Sequence, residues 1–247
     1  MLDIYRPEDS QEKILPVIIN VHGGGLIIGN KEFNRYFCAL LCKKGFLVYS
    51  IEYRLIPDCL IYDQLADVFM AMDYIKERLA ADGGDSSHVY MAGDSGGACL
   101  ITYANAIQNS TNIAMAANVT PSGLRINALG LISGMFYTSR FDKIGLFLPK
   151  YLYGRDYKKT SFAKYVNPEN RELLNSLAPV WLVTSHNDFL RRYTTDFEKA
   201  LTRAEREHEL VVFPKSKKLT HAFSVFEPFL PESSAVIDMM VEYFRKF

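Results

Sequence analysis

The sequence predicts an α/β fold with a mainly parallel central sheet and helices on both faces. Three observations carry that prediction. Strand-like and helix-like segments alternate along most of the 247 residues, the order that crossover helices between parallel strands require. The first core strand reads as a short, mainly apolar run, Val17-Ile18-Ile19-Asn20-Val21, which suits a strand covered on both faces. A glycine-flanked serine, Gly93-Asp94-Ser95-Gly96-Gly97, falls between a strand and a helix, where a sharp turn leaves the edge of such a sheet.

The elements follow in order. Val17 to Val21 is bounded by Pro16 and by glycines. Phe33 to Lys44 reads as a helix ending at Gly45, and Phe46 to Ile51 as the next strand. Tyr62 to Ala81 is a long helix, because Leu65, Val68, Phe69, Met72 and Ile75 recur at helical spacing. Asp82 to Ser87 is a polar turn, Val89 to Ala92 a strand running into Gly93, and Ala98 to Gln108 a helix. Strands are expected at Ala128 to Ile132, Val180 to Thr184 and Glu209 to Phe213, and helices at Thr194 to Glu207 and Ser233 to Phe247. The stretch from Met135 to Leu177, rich in Phe, Tyr, Lys and Asn, breaks this rhythm. Lying between two core strands, it is expected to form a cap over the sheet's end. The chain is therefore expected to be a single domain, 1–247, with a cap-like insertion at about 135–177.

Composition excludes several classes. Hydrophobic residues make up 49% and aromatic residues 13%, too much for a disordered chain. Lys+Arg and Asp+Glu are each 28, a net charge of +0, which leaves no global electrostatic footprint for nucleic acid. No run reaches the roughly 18 apolar residues of a membrane helix. The opening Met1 to Pro7 lacks the basic-then-apolar pattern of a secretory signal. Cys38 and Cys42 have i,i+4 spacing, but no matching His or Cys pair follows, so no zinc site is expected. These two, with Cys59 and Cys99, read as reduced thiols of a cytoplasmic protein. Asn109-Ser110-Thr111 and Asn118-Val119-Thr120 match a glycosylation sequon, which carries weight only in a secreted chain.

Gly93 to Gly97 fits Gly-x-Ser-x-Gly. Glycines two before and two after the serine let strand and helix approach without a Cβ clash. The helix N-terminus behind Ser95 adds positive potential where an oxyanion would form. His22-Gly23-Gly24-Gly25 directly follows the first core strand. Its glycines let backbone N–H groups approach a substrate carbonyl. No Lys-Ser/Thr follows them, which excludes a P-loop. A second donor is expected from Gly96, the residue after the nucleophile. His22 precedes the nucleophile and reads as a brace for this loop rather than as a base.

A serine on such a turn is followed in the chain by an acid and then by a histidine. Trp181 to Thr184 is a late strand, and Ser185-His186-Asn187-Asp188 follows it. Asp188 is the candidate acid, since a carboxylate there would hold the imidazole tautomer and stabilise the imidazolium. After the last strand, the loop Pro214 to Thr220 leads to His221, the candidate base. His186 falls at the acid's position, His88 precedes the nucleophile strand, and His208 begins the last strand.

Together, His22-Gly23-Gly24-Gly25, Tyr53-Arg54-Leu55-Ile56-Pro57, Gly93-Asp94-Ser95-Gly96-Gly97, Asp188-Phe189-Leu190-Arg191 and His221-Ala222-Phe223 resemble the hormone-sensitive-lipase-like branch of the α/β-hydrolase esterases, in that family's order and spacing over nearly the whole chain. The resemblance implies an α/β-hydrolase fold and carboxylic ester hydrolysis without metal or cofactor. It implies Ser95 as nucleophile, His221 as base and Asp188 as acid. It implies oxyanion donors from Gly24, Gly25 and Gly96, with Gly23 mainly a turn residue and Tyr53 to Leu55 supporting the site. The chain departs from the family in lacking the helical N-terminal cap segment, in Phe189 where proline is common, and in Ala222 where glycine is common. None of these removes a reacting group.

The function expected is that of a serine carboxylesterase acting on small or short-chain esters. With the N-terminal cap segment missing, the site is expected to be open and to suit esters such as acetylated sugars. Met135, Phe136, Tyr137, Phe141, Phe147, Leu148, Tyr151 and Tyr153 either line its pocket or pack the cap on the core. Amide chemistry, as an amidase, formamidase or peptidase, would use the same triad. A ligand-binding protein on this fold would lack a triad member. The partner expected is a small-molecule ester, with no nucleic acid and no membrane. The one protein partner for which an edge strand or the C-terminal helix could offer a surface is a second copy of the chain, as a homodimer.

Overall fold

The computed structural model describes residues 1–10 and 13–247. Strand β1 (Leu2–Tyr5) leads to β2 (Leu15–Val21), α1 (Arg35–Lys43), β3 (Leu47–Ile51), α2 (Ile61–Arg78), β4 (Gly84–Asp94) and α3 (Ser95–Asn109). Helix α4 (Thr111–Ala117) precedes β5 (Ala128–Ile132). Three short helices, α5 (Lys143–Phe147), α6 (Pro149–Leu152) and α7 (Arg171–Asn175), lie on the way to β6 (Val180–Ser185). Then come α8 (Arg191–Arg203), β7 (His208–Phe213), α9 (Phe223–Phe226) and α10 (Pro231–Phe244). The strands form one sheet in the order β1-β3-β2-β4-β5-β6-β7. All neighbours are parallel except β1, which runs antiparallel to β3.

Alternate side chains of β2 enter two separate apolar layers. Val17, Ile19 and Val21 pack with Leu65 and Val68 of α2 and Leu100 of α3. Ile18 packs with Phe37 and Leu41 of α1 and Met240 and Phe244 of α10. Both faces of the sheet are thus covered, which is why the strand is apolar without alternation. The strand order reverses at β2, between β3 and β4, and a crevice opens past the C-terminal ends of such strands. Val21 of β2 lies opposite Gly93 of β4, so the loop leaving β2 and the turn leaving β4 are side by side.

Several elements differ from the expected ones. Strand β1 has only four residues of mixed polarity, and its partner is the edge of β3, with Leu2 opposite Ile51; a pairing made by tertiary contact leaves little local pattern. The turn expected over Asp82 to Ser87 is shorter, because Gly83 takes it at φ +73° and Gly84 already pairs with Leu15. Helix α3 starts at Ser95, three residues earlier than expected. The helix expected from Phe33 begins instead as a 3-10 turn, Lys31–Asn34, capped by the Asn30 side chain, before α1 proper. Helix α4 is additional: the Ser110 hydroxyl caps its start and Asn118 ends it at φ +53°. Residues of both sequon-like triplets are therefore helix caps. Helices α2, α8 and α10 each begin and end one to four residues before the expected bounds.

Between β5 and β6 the chain has a packed root and an exposed tip. Phe136 is buried and stacks on Phe197 of α8, with centroids 4.2 Å apart. Tyr153, Phe162 and Tyr165 are also buried, and the Tyr103 hydroxyl of α3 donates to Tyr165 O at 3.1 Å. Phe141, Leu146, Phe147 and Tyr151 are exposed. Among the described residues, no helix is long and apolar enough to cross a membrane.

Candidate active site

Strand β4 ends at Asp94 and α3 begins at Ser95, whose φ is +49°. That left-handed conformation is costly for a residue with a side chain. The turn is held because α3 starts directly against the loop leaving β2: a Cβ on Gly97 would overlap Val21 O and His22 O. No other residue type permits this crossing. The same turn anchors the segment after β5, since Met135 N–H donates to Ser95 O at 2.9 Å.

The glycine loop is braced from outside. Gly24 has φ +99°, and its carbonyl accepts the N–H groups of Ile27 and Ile28 at 3.1 Å each. The Tyr53 hydroxyl donates to His22 O at 2.8 Å, and the His22 ring stacks on Tyr53 with centroids 4.3 Å apart. Leu26 O accepts from Gln64 Nε2 and from Ile56 N–H, both at 3.0 Å. A Cβ on Gly96 would lie 2.9 Å from Leu26 N and 3.1 Å from Gly25 N, so the two glycine turns are in backbone contact. His22 is buried, its Nδ1 donates to Gly23 O at 2.8 Å, and burial pushes its imidazole below the ordinary value. It is a neutral brace. The Arg54 guanidinium is engaged with Asp67, at 2.8 Å, away from the cavity that Ser95 lines.

Asp94 fastens the loop to the serine turn. Its Oδ1 accepts Gly23 N–H at 3.0 Å and Asn34 Nδ2 at 2.9 Å, while Oδ2 has no partner among the described residues. Burial pushes this carboxyl above its ordinary value, against the opposing pull of Asn34 and the nearby histidines. Nothing but its place inside Gly-x-Ser-x-Gly marked Asp94 in the sequence.

Asp188 and His221 are brought together across the ends of β6 and β7. His221 Nδ1 lies 2.7 Å from Asp188 Oδ1. A carboxylate can only accept, so Nδ1 carries the proton and Nε2 is left as the basic nitrogen. Leu190 N–H also donates to Oδ1, and the Thr184 hydroxyl donates to Oδ2, each at 2.8 Å. Burial works to raise the Asp188 carboxyl, but the His221 hydrogen bond and charge, with Ser133 and Leu190 N–H, hold it below its ordinary value. Ser133 also positions the histidine loop, its Oγ accepting Ala222 N–H at 3.1 Å. Ser185 Oγ donates to Leu219 O, two residues before His221. Ser133 and Ser185 have no motif of their own and their roles arise from tertiary contact, whereas Thr184 reaches Asp188 from four residues away.

Ser95, His221, Gly24 and Gly25 all line one cavity of about 710 Å³. Asp188 stands behind His221, and Gly96 stands behind Ser95 rather than on the cavity wall. The remaining lining is almost wholly apolar and comes from distant segments: Ile56, Met135, Leu148, Phe189 and Phe226, among others. Of the aromatic and apolar residues expected around a pocket, Met135, Phe147, Leu148 and Tyr151 line it. Phe136, Tyr137 and Tyr153 are buried elsewhere, and Phe141 is exposed. Phe189, whose ring lies 4.4 Å from that of His221, is a lining residue that sequence reasoning passed over as a mere departure from the family pattern.

The sequence profile of the alpha/beta hydrolase fold family matches residues 18–224, and the chain belongs to that family. Among curated relatives, it is 29% identical over 184 residues to a probable isoprenylcysteine alpha-carbonyl methylesterase of Oryza sativa subsp. japonica, covering 70% of this chain and 44% of that protein. It is 31% identical over 113 residues to tuliposide A-converting enzyme 2, chloroplastic, of Tulipa gesneriana, covering 40% of this chain and 30% of that protein. The chain thus spans less than half the length of these relatives. Among solved structures, it superposes on esterase B of Lactobacillus rhamnosis with a TM-score of 0.92 at 23% identity, covering 99% of this chain and 80% of that one. The latter likeness is one of fold.

Proposed function

We propose that the chain is a serine-dependent carboxylic ester hydrolase. The observation that carries this reading is the Asp188–His221 pair at 2.7 Å, delivered to the wall of the cavity that Ser95 also lines. In the proposed reaction, Ser95 Oγ attacks the ester carbonyl carbon while His221 Nε2 takes its proton, and Asp188 stabilises the imidazolium. The tetrahedral oxyanion is held by the N–H groups of Gly24, Gly25 and Gly96. His221 gives the proton to the leaving alcohol oxygen as the C–O bond breaks. Water then attacks the acyl-enzyme, with His221 again as base, and releases the acid and Ser95.

The lining argues for an apolar substrate. Beyond Ser95 and His221, the polar side chains on the cavity wall are those of Lys143 and Tyr151, too few to pair the hydroxyls of a sugar. An acetylated sugar therefore fits this cavity less well than an ester with hydrocarbon on one or both sides. The relatives named for methylester hydrolysis of isoprenylcysteine, and esterase B bound to a tributyrin phosphonate, support esters as the class. In this reading, residues 135–177 act as the cap, and the four free thiols go with a cytoplasmic compartment.

The test is hydrolysis of p-nitrophenyl esters from acetyl to decanoyl by the wild type and by Ser95→Ala. The wild type is expected to turn over, and the variant to lose at least about 10³-fold in kcat. Wild-type turnover by Ser95→Ala overturns the proposal.

A further inference from the structure

The serine hydrolase reading leaves open what recognises the alcohol half of the ester. Phe189 lies between Asp188 and Leu190, at the tip of a turn clamped on both sides. Asp188 N–H donates to Ser185 O at 3.2 Å, and Leu190 N–H to Asp188 Oδ1 at 2.8 Å. Leu190 is buried, whereas Phe189 is 73% exposed and lines the cavity. Among the described residues, its ring is the one aromatic ring in contact with that of His221, tilted by 42°. A rigid mount, an exposed apolar ring and contact with the candidate base are three separate facts about one side chain.

Proton transfer relates this ring to one half of a substrate. His221 must protonate the departing alcohol oxygen, so that oxygen lies within roughly 3 Å of Nε2. The carbonyl oxygen lies instead toward the glycine loop. Phe189, whose ring lies 4.4 Å from the His221 imidazole on the wall of the same cavity, is therefore within reach of carbon attached to the leaving oxygen. We propose that Phe189 selects the leaving alcohol, favouring esters whose alcohol carries an apolar or aromatic group able to cover its ring. The proposal rests on the serine hydrolase reading. It assigns Phe189 a role in specificity, with no part in proton transfer.

Two ester series test it, with Phe189→Ala and Phe189→Leu beside the wild type. One series holds butyrate constant and varies the alcohol from methyl to n-butyl to benzyl. The other holds benzyl alcohol constant and varies the acyl group from acetate to hexanoate. Phe189→Ala is expected to lose about tenfold in kcat/KM on benzyl butyrate, mainly through KM. It is expected to stay within about twofold of the wild type on methyl butyrate. Across the benzyl series the loss is expected to be the same at every acyl length. Phe189→Leu is expected to recover n-butyl butyrate more fully than benzyl butyrate. A loss that grows with acyl length at constant alcohol overturns the proposal, because it places the ring on the acyl side. An equal loss on methyl and benzyl butyrate also overturns it, because it makes Phe189 a support for His221 alone. No wild-type turnover on any ester, or full turnover by Ser95→Ala, overturns the underlying reading as well. Ser95-dependent turnover with an unchanged alcohol profile removes the Phe189 proposal and leaves that reading standing.

Discussion

Two buried aspartates close two parallel strands of the same sheet, Asp94 at the end of β4 and Asp188 just past β6, and they shift in opposite directions. Burial raises both carboxyls. Among the described residues, Asp94 has two donors on one oxygen and none on the other. Asp188 has donors on both oxygens, one of them an imidazole. Depth alone therefore does not set the charge of a buried acid; the number and kind of donors facing it do. The difference also divides their work. Asp94 holds a backbone loop in place, and Asp188 is built to stay ionised beside a histidine.

The comparison breaks most plainly at Asp188. Asp188→Asn keeps the shape but offers His221 an amide, and is expected to cut kcat about 10⁴-fold with the circular dichroism spectrum unchanged. A comparable loss from Asp94→Asn would erase the proposed division. Next in size, Asp94→Ala leaves Gly23 N–H without its acceptor and Asn34 Nδ2 with only the Asn20 Oδ1 contact at 3.3 Å, and is expected to destabilise the fold by about 1–3 kcal/mol, read from urea unfolding. Asp94→Asn keeps an acceptor oxygen for both donors and should recover most of that loss.

The smallest effect is on the pH dependence of stability. Asp188 has a lowered folded pKa, so its stabilisation is present above the unfolded carboxylate value and is lost as pH falls through the folded value. Asp94 has a raised folded pKa, so the folded state keeps its proton longer than the unfolded chain. Its contribution is greatest below the unfolded value and declines as pH rises through the folded one. Urea midpoints measured from acid to neutral pH should therefore lose part of their acid-side fall in Asp188→Asn. In Asp94→Asn they should lose part of their decline on the other side.

What could be read from the sequence follows the same physical lines. Strands such as β5 and β2 were legible because burial on both faces writes a continuous apolar run. Ser95, Asp188 and His221 are candidates because the pattern asks for a serine and an acid just past strand ends and a histidine on the loop after the last strand; the fold puts Ser95 and His221 on the wall of one cavity and Asp188 2.7 Å from His221, behind it. Strand β1 was not legible, since its cause is the edge of β3. Asn34 and Ser133 were hidden for a related reason: their hydrogen-bond partners, Asp94 and Ala222, lie far away in the chain. Ile56, Phe189 and Phe226 were not expected on the cavity wall because they come from three separate segments.

The hydrogen bond from Met135 N–H to Ser95 O has a consequence for how this scaffold can evolve. The insert between β5 and β6 is tethered at its root to the backbone of the serine, while Phe141, Leu146 and Phe147 at its tip face solvent. Insertions, deletions and side-chain changes in the tip can redraw the cavity without dragging on Ser95, the proposed nucleophile. Changes at the root act on both at once. Diversity among descendants of this chain should therefore accumulate between residues 141 and 151, where taste in substrates can drift while the chemistry is inherited intact.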